Sequence, residues 1–259
     1  MEFKDKTVIV TGAAGVFGRW ITEAFWREGA RVVLSDMRGE AAEQVARENG
    51  IGTDRAFIHA TDLMREESIA DLARAATERF GVADVVVNNA GIYPKGGLLN
   101  LPTQEWDRIM GVNLRAPFLV TREFGQRMVA AGRKGSVIFI SSGAARQMRA
   151  STAAYCTSKT AVERLAKGFA LEFAPHGIRS NVVEPGFALG SVVSPLTEDY
   201  VERMRARIPL GRSSGPQDAP GAVLFLASER ASFITGATLS VDGGNSIGTF
   251  EPGELGNTR

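Results

Sequence analysis

A run of β-branched residues, Thr7-Val-Ile-Val-Thr11, breaks directly into Gly12-Ala-Ala-Gly15-Val16-Phe17-Gly18 and then into amphipathic helical spacing as far as about Glu28. An apolar run so short and so continuous reads as a strand covered on both faces, the habit of parallel sheets. Parallel strands need crossover connections, which commits the rest of the chain to strands alternating with helices. Glycines let backbone amides come close to an anion, and a helix N-terminus contributes about half a positive charge. Strand, glycine turn and helix start therefore make either a pyrophosphate cradle or only a tight turn, and later residues must decide between them.

The alternation continues. Arg31-Val-Val-Leu-Ser-Asp36 reads as a second strand ending in an acid 18 positions beyond Gly18. A dinucleotide fold places there the group that binds the adenosine ribose hydroxyls. Asp36 repels a 2′-phosphate and so favours NAD over NADP, whereas Arg38, two residues on, is placed to attract one; the plain alternative is that Asp36 caps a helix over 39–48. A third strand over 55–60 leads through Thr61-Asp62-Leu63 to a helix over 66–80, with Asp62 either accepting a bond from an adenine amino group or capping that helix. His59 has no partner at metal-ligand spacing and reads as structural, so no metal is expected. A fourth strand over 84–88 opens into Asn89-Ala90-Gly91, small residues that leave room for a flat ligand at a strand end. Residues 103–131 have helical period but contain Pro117, whose missing N–H frees the Asn113 carbonyl and kinks the helix, either to hold a water or to adapt packing. Further strands come over 136–142, 178–183 and 237–241, with a helix over 217–228. The fold class is α/β, a single doubly wound Rossmann-type domain over 1–259 with a seven-stranded parallel sheet flanked by helices; no linker or charge block divides it.

The balance of 30 Lys+Arg against 29 Asp+Glu gives no case for nucleic acid or an acidic membrane surface, although it leaves room for a local basic site. One cysteine, Cys156, permits no internal disulfide, and the start lacks the apolar stretch of a signal peptide. A cytoplasmic protein with no membrane span is expected.

Ser151 and Thr152 are placed to cap a helix on which Tyr155 and Lys159 stand one turn apart on one face. Lowering a phenol from about pH 10 to 7 needs roughly 4 kcal/mol. An ammonium at ~4 Å in an effective dielectric of ~20 supplies about that much. The pair is a candidate general acid/base, although the same spacing occurs on ordinary helices. Ser142, at the end of the fifth strand, borders the same crevice and by itself reads equally as turn chemistry.

Together, Thr11-Gly-Ala-Ala-Gly-Val-Phe-Gly18, Asp62, Asn88-Asn-Ala-Gly91, Asn113, Ser142, Tyr155-x-x-x-Lys159, Pro185-Gly186 and Val241-Asp-Gly-Gly244 resemble the classical short-chain dehydrogenase/reductase family from about Asp5 to Gly244. The resemblance implies an NAD-dependent oxidoreductase that moves hydride to or from a secondary alcohol or ketone carbon. It implies a tetrad of Asn113, Ser142, Tyr155 and Lys159: Tyr155 exchanges the proton, Ser142 holds the substrate oxygen, Lys159 binds the nicotinamide ribose and lowers the phenol pKa, and Asn113 anchors a water leading to Lys159. It implies cofactor binding by Gly12, Gly15, Val16, Phe17, Gly18, Asp36, Asp62, Leu63, Asn89, Ala90, Gly91, Tyr155, Lys159, Pro185, Gly186 and Ala188. Two departures stand out. Val16 occupies a position that is usually glycine, with Gly15 beside it, and Gly190 replaces a threonine that commonly bonds the carboxamide, leaving Ser191 or the backbone to substitute.

The substrate is expected between Tyr93, Pro94, Lys95, Ser142, Ala144, Gln147, Arg149, Tyr155 and Phe187, under a lid over 187–214. Lys95, Arg146, Arg149, Arg205, Arg207 and Arg212 provide cations near that mouth for an anionic substrate, but a neutral polyol, sugar or cyclic alcohol is preferred because surface arginines are usually solvated. Glu184 reads as a strand-end residue and His176 as a favourable helix end. The alternatives are an NADPH-dependent ketoreductase of the 3-oxoacyl carrier-protein kind and, from another class, a non-catalytic nucleotide-binding protein. The family also implies a homotetramer, with residues 245–259 either loose or docked on a neighbouring subunit.

Overall fold

The computed structural model describes residues 1–190, 197–248 and 250. Seven strands, β1 Thr7–Thr11, β2 Arg31–Asp36, β3 Ala56–Ala60, β4 Val85–Asn88, β5 Gly135–Ile140, β6 Ile178–Pro185 and β7 Thr238–Val241, form one sheet in the order β3-β2-β1-β4-β5-β6-β7. Every pairing is parallel. The helices are α1 Val16–Arg27, α2 Gly39–Glu48, α3 Glu66–Phe80, α4 Thr103–Met110, α5 Ala116–Ala130, α6 Ala153–Phe173, α7 Glu198–Ala206 and α8 Asp218–Ala227.

Alternate residues of the strands feed two cores, which is why they read as unbroken apolar runs. Val8 and Val10 of β1, with Val32 and Leu34 of β2, join Phe25 of α1, Val45 of α2 and Val223 of α8 on one face. Ile9 and Val33 turn to the other, where Leu72 of α3, Phe124 of α5 and Val162 of α6 meet them. Each such side chain contributes roughly 1.5–3 kcal/mol on burial, so a one-residue slip of a central strand would exchange the contents of both cores.

Two expectations are corrected by the structure. The segment over 103–131 is not one kinked helix: a π-helical turn over Gly111–Arg115 separates α4 from α5, and the Ala116 N–H donates to the Gly111 carbonyl. The wider turn takes up the disruption ahead of Pro117, where a plain α-helix would have had to bend. Ser151 and Thr152 lie in a 3₁₀ turn over Ala150–Thr152, and Thr152 Oγ1 faces Cys156 Sγ at 3.9 Å instead of capping α6. At the start of the tail, Gln147 Nε2 donates to the Asn245 carbonyl at 3.2 Å, and Asp242 Oδ2 accepts from the Ser246 N–H at 2.8 Å, while most of the expected tail over 245–259 lies outside the described residues. Ser191, part of the lid and the tail beyond Phe250 lie outside the described residues.

Candidate active site

The strand order reverses between β1 and β4, and an open α/β sheet offers its binding crevice at the carboxyl ends beside such a reversal. Gly12 has φ +64°, and a Cβ there would stand 2.8 Å from Ala90 Cα; at Gly18 it would meet the Gly12 carbonyl oxygen at 2.1 Å. Both positions therefore require glycine. Gly15 has an ordinary extended backbone and precedes α1 with no side chain to cover the first amides, while Val16 is the first helical residue. The departure at Val16 thus falls at an ordinary helical position, which does not itself call for glycine. Exposed amides at the head of α1, walled by glycines at van der Waals limits, suit a pyrophosphate.

Asp36 ties this turn to the next strand: its Oδ2 accepts from the Ala14 N–H and its Oδ1 from the Arg38 N–H, both at 3.0 Å. It therefore holds a turn and does not cap α2. Asp62 likewise accepts from the Met64 N–H at 2.9 Å, three residues short of the Arg65 boundary of α3, and half-buried Leu63 packs against the core behind it. Asn89 directs its amide inward, donating to the Thr11 and Gly12 carbonyls at 2.9 and 3.0 Å. Its side chain stitches β1 to β4 and leaves Ala90 and Gly91 to line the crevice. At Gly91 a Cβ would lie 3.4 Å from Lys159 Nζ and 3.5 Å from Asn113 Oδ1, so glycine keeps those groups approachable.

Ser142, Tyr155, Lys159 and Asn113 come together from the loop after β5, α6 and the π turn. Ser142 Oγ accepts from the Ala144 N–H at 3.2 Å, capping the 3₁₀ turn over Gly143–Ala145, and it stands near enough to the Tyr155 hydroxyl to favour the phenolate. Tyr93 packs edge-on against the Tyr155 ring, with centroids 6.1 Å apart. Lys159 is buried; its Nζ donates to the Ile140 carbonyl at 2.8 Å and lies 5.8 Å from the centre of the Tyr155 ring. Asn113 works through its amide, accepting from Ile92 N–H at 2.9 Å and donating to Ile92 O at 2.8 Å and to Ser158 Oγ at 3.0 Å. Ser158, one of the partners that fix Asn113, carries no distinguishing signal in the sequence.

The electrostatics correct one expectation. Burial pushes the Tyr155 phenol up, and the Ser142 hydroxyl pulls it back only in part. Burial also pulls Lys159 down to about 8, with nearby Glu163 opposing. A buried ammonium bound to a carbonyl is itself short of solvation, so the desolvation of both groups outweighs the benefit the pair would have on an open helix face.

Around the mouth, Gly186 lies against Asp242, where a Cβ would come within 2.8 Å of its Cα. Ala188 bridges to Ser214 next to a 2.7 Å bond from Ser214 N–H to the Phe187 carbonyl. Gly190 has φ +87°, a backbone conformation that a threonine would adopt only with strain. Phe187 packs on Tyr200, Ala144 is buried, and Arg149 is near enough to favour the Tyr155 phenolate. Gln147 is occupied by the Asn245 carbonyl. Two of the expected mouth cations are paired, Arg212 with Asp218 at 2.6 Å and Arg146 with Glu184 at 2.8 Å. Glu184 thus becomes a buried ion-pair partner, and only the acid at a β-strand position next to Pro185 hinted at it.

A doubly wound sheet whose switch point faces a hydroxyl pair and a buried lysine defines a nucleotide-dependent oxidoreductase. Residues 12–246 match the sequence profile of the family described as Enoyl-(Acyl carrier protein) reductase. The chain is 37% identical over 246 residues to the L-rhamnose 1-dehydrogenase (NAD(P)(+)) of Azotobacter vinelandii, covering 93% of this chain and 96% of that one. It is 38% identical over 250 residues to the trans-4-hydroxycyclohexanecarboxylate dehydrogenase of Sinomonas cyclohexanicum, covering 94% of each. The 3-ketoacyl-(acyl-carrier-protein) reductase of Brucella melitensis, whose crystal structure is a complex with NADH, superposes with a TM-score of 0.86 at 35% identity, covering 94% of this chain and 99% of that one. The chain belongs to the short-chain dehydrogenase/reductase family, and it is an oxidoreductase acting on CH–OH groups with an NAD(P) cofactor.

Proposed function

We propose that the protein moves hydride between NAD(H) and a neutral ring or polyol substrate, a secondary alcohol in one direction and a ketone in the other. The observation that carries this reading is the nearness of the Ser142 and Tyr155 hydroxyls, next to buried Lys159 at the carboxyl edge of the sheet. Bound nicotinamide supplies the hydride in reduction and receives it in oxidation. Ser142 keeps one lone pair on the Ala144 N–H and turns its proton to the substrate oxygen. Tyr155 gives its phenolic proton to that oxygen in reduction and takes the alcohol proton in oxidation. Since burial holds Tyr155 as a phenol near neutral pH, the resting site is an acid, and oxidation gains rate as pH rises. Lys159 holds the nicotinamide ribose, and a water on the Asn113 carbonyl continues the proton path outward.

Asp36 supports NAD over NADP. Its carboxylate is held at the ribose end of the cradle by two backbone donors, and the Arg38 guanidinium lies 3.8 Å from that carboxylate instead of waiting for a phosphate. The glycine turn of 12–18, Asp62 and Leu63, the 89–91 loop, and Pro185, Gly186 and Ala188 complete the binding surface. The rhamnose and hydroxycyclohexanecarboxylate named for two relatives support a ring alcohol. The carboxylate of the second, set against exposed Arg149 and its field on Tyr155, supports an anionic substrate as the second possibility. Initial rates over a panel of neutral and anionic secondary alcohols, with NAD and with NADP, test the reading. Tyr155→Phe is expected to abolish turnover, and intact turnover would overturn it. Equal loss on both substrate classes in Arg149→Ala removes the anionic reading. An NADPH-dependent 3-oxoacyl reductase is separated by cofactor choice, because Asp36 penalises the 2′-phosphate, and the activity named for the Brucella relative is separated by assaying a 3-oxoacyl thioester beside the alcohols with NADH.

We further propose one domain over the whole chain, residues 187–214 as substrate lid, and a cytoplasmic homotetramer formed through α4, α5 and α6. Phe118 and Leu171 expose apolar surface on these helices, and among the described residues no helix is long and apolar enough to cross a membrane. Sedimentation velocity tests the assembly; a monomer at working concentration overturns it.

A further inference from the structure

Behind the Ser142 loop lies a charge cluster built on a buried carboxylate, with no place in the hydride and proton transfers. Glu184, the residue before Pro185, is completely buried. Both of its carboxylate oxygens face Arg146 Nε, at 3.1 and 2.8 Å, and Oε2 also accepts from Ser240 Oγ of β7. Glu163, one turn beyond Lys159 on α6, accepts from Ser141 Oγ at 2.7 Å and is hydrogen-bonded to Glu184. Two carboxyl groups in hydrogen-bond contact must hold a proton between them. Ser141 Oγ also reaches the Lys159 carbonyl at 3.3 Å, so the cluster is joined to the backbone of α6. The charged groups that face the pair are Arg146 from the loop and Lys159 from α6 itself, with Asp242 beyond β7 acting on Arg146.

Arg146 joins this cluster to the catalytic loop. It stands four residues after Ser142 in the stretch that continues to Arg149, and its N–H donates to the Gly143 carbonyl at 3.2 Å. Thr160 Oγ1 holds the neighbouring Ala145 carbonyl at 2.9 Å. The loop that sets the Ser142 hydroxyl is thus anchored to β6 and α6 from behind.

We propose that Glu184 and Glu163, sharing one proton, grip Arg146 and thereby position the Ser142 loop against Tyr155, as residues that never touch the substrate. With Glu163 neutral, the single negative charge of the pair stays on Glu184 against Arg146. Loss of the shared proton sets two adjacent carboxylates, buried Glu184 and half-buried Glu163, against one guanidinium and loosens the loop. Burial and Glu184 push Glu163 up to about 7, which puts this change within the working range.

The proposal rests on the proposed active-site chemistry, and its test separates the two. Infrared titration of the whole protein without substrate is expected to show a protonated buried carboxyl at pH 6 that disappears toward pH 8. The band should be lost in Glu163→Gln and unaffected in Tyr155→Phe, whatever the turnover. In kinetics, Arg146→Met is expected to lower kcat about ten- to a hundredfold, the scale of small misplacements, with KM for NAD changed less than twofold. Arg146→Lys should restore part of it, and Glu163→Gln should hold kcat near the pH 6 value while flattening the pH profile around 7. No carboxyl titration between pH 6 and 8, or Arg146→Met with wild-type kcat, overturns the proposal. If Arg146→Met fails to fold, Glu163→Gln and Arg146→Lys decide it by the same two readouts.

Discussion

Replacing Lys159 with methionine should stop catalysis and, at neutral pH, leave the fold no weaker. The lysine titrates near 8 in the folded protein against 10.5 ordinarily. At about 1.36 kcal/mol per unit, keeping it charged at pH 7 costs roughly 3 kcal/mol of stability. Methionine removes that cost but abandons the Ile140 carbonyl, a loss of about 1–3 kcal/mol. The two nearly cancel, so the net change at pH 7 lies between about zero and 2 kcal/mol of stabilisation. The pH dependence isolates the electrostatic part. The folded pKa is depressed, so the folded state releases its proton first, and the wild-type lysine's penalty fades as pH rises from 8 to 10.5. Between pH 7 and 10 the stability of Lys159→Met relative to wild type should therefore fall by about 2–3 kcal/mol. Urea unfolding of both proteins at each pH measures this directly. An unchanged difference between the two proteins would falsify the claim that burial controls this lysine.

Asp36→Asn should raise kcat/KM with NADP at least tenfold relative to NAD, read from initial rates with each cofactor; an unchanged ratio would show that another group rejects the 2′-phosphate. Gly18→Ala drives a methyl to 2.1 Å from the Gly12 carbonyl, and should lower thermal stability by about 1–3 kcal/mol and abolish NADH fluorescence enhancement. Glu163→Gln should gain stability above pH 7. The folded carboxyl titrates near 7 against 4.5 ordinarily, so it keeps its proton longer in the folded state, and wild-type stability declines as pH climbs from 4.5 to 7. Denaturant midpoints at pH 5 and pH 8 compare the two proteins, with the difference expected only at the higher pH.

Some features of this chain come from local chemistry and can be read without coordinates. β-branched runs too short for helices imply buried strands. A glycine turn between strand and helix implies close backbone approach, and an acid at the end of β2 implies a hydroxyl-binding position. The strand order, and with it the meeting of Ser142, Tyr155 and Lys159, arises because parallel strands must return by crossovers that bring their carboxyl ends to one edge. The features that stayed hidden depend on neighbours distant in sequence. Pro117 announces a disrupted helix but not a π turn, because the choice between bending and widening is made by packing around Asn113. The Tyr155–Lys159 spacing speaks for a lowered phenol pKa, yet burial depends on how α6 seats against β5, and in the folded protein desolvation prevails. Glu184 and Arg146 lie 38 residues apart, and only the pairing of β5 with β6 buries the carboxylate and sets it against the guanidinium of an exposed arginine. Periodicity and turn chemistry are local and so are written in the order of residues; solvent exclusion and charge pairing arise between elements and exist only once the sheet has closed around them.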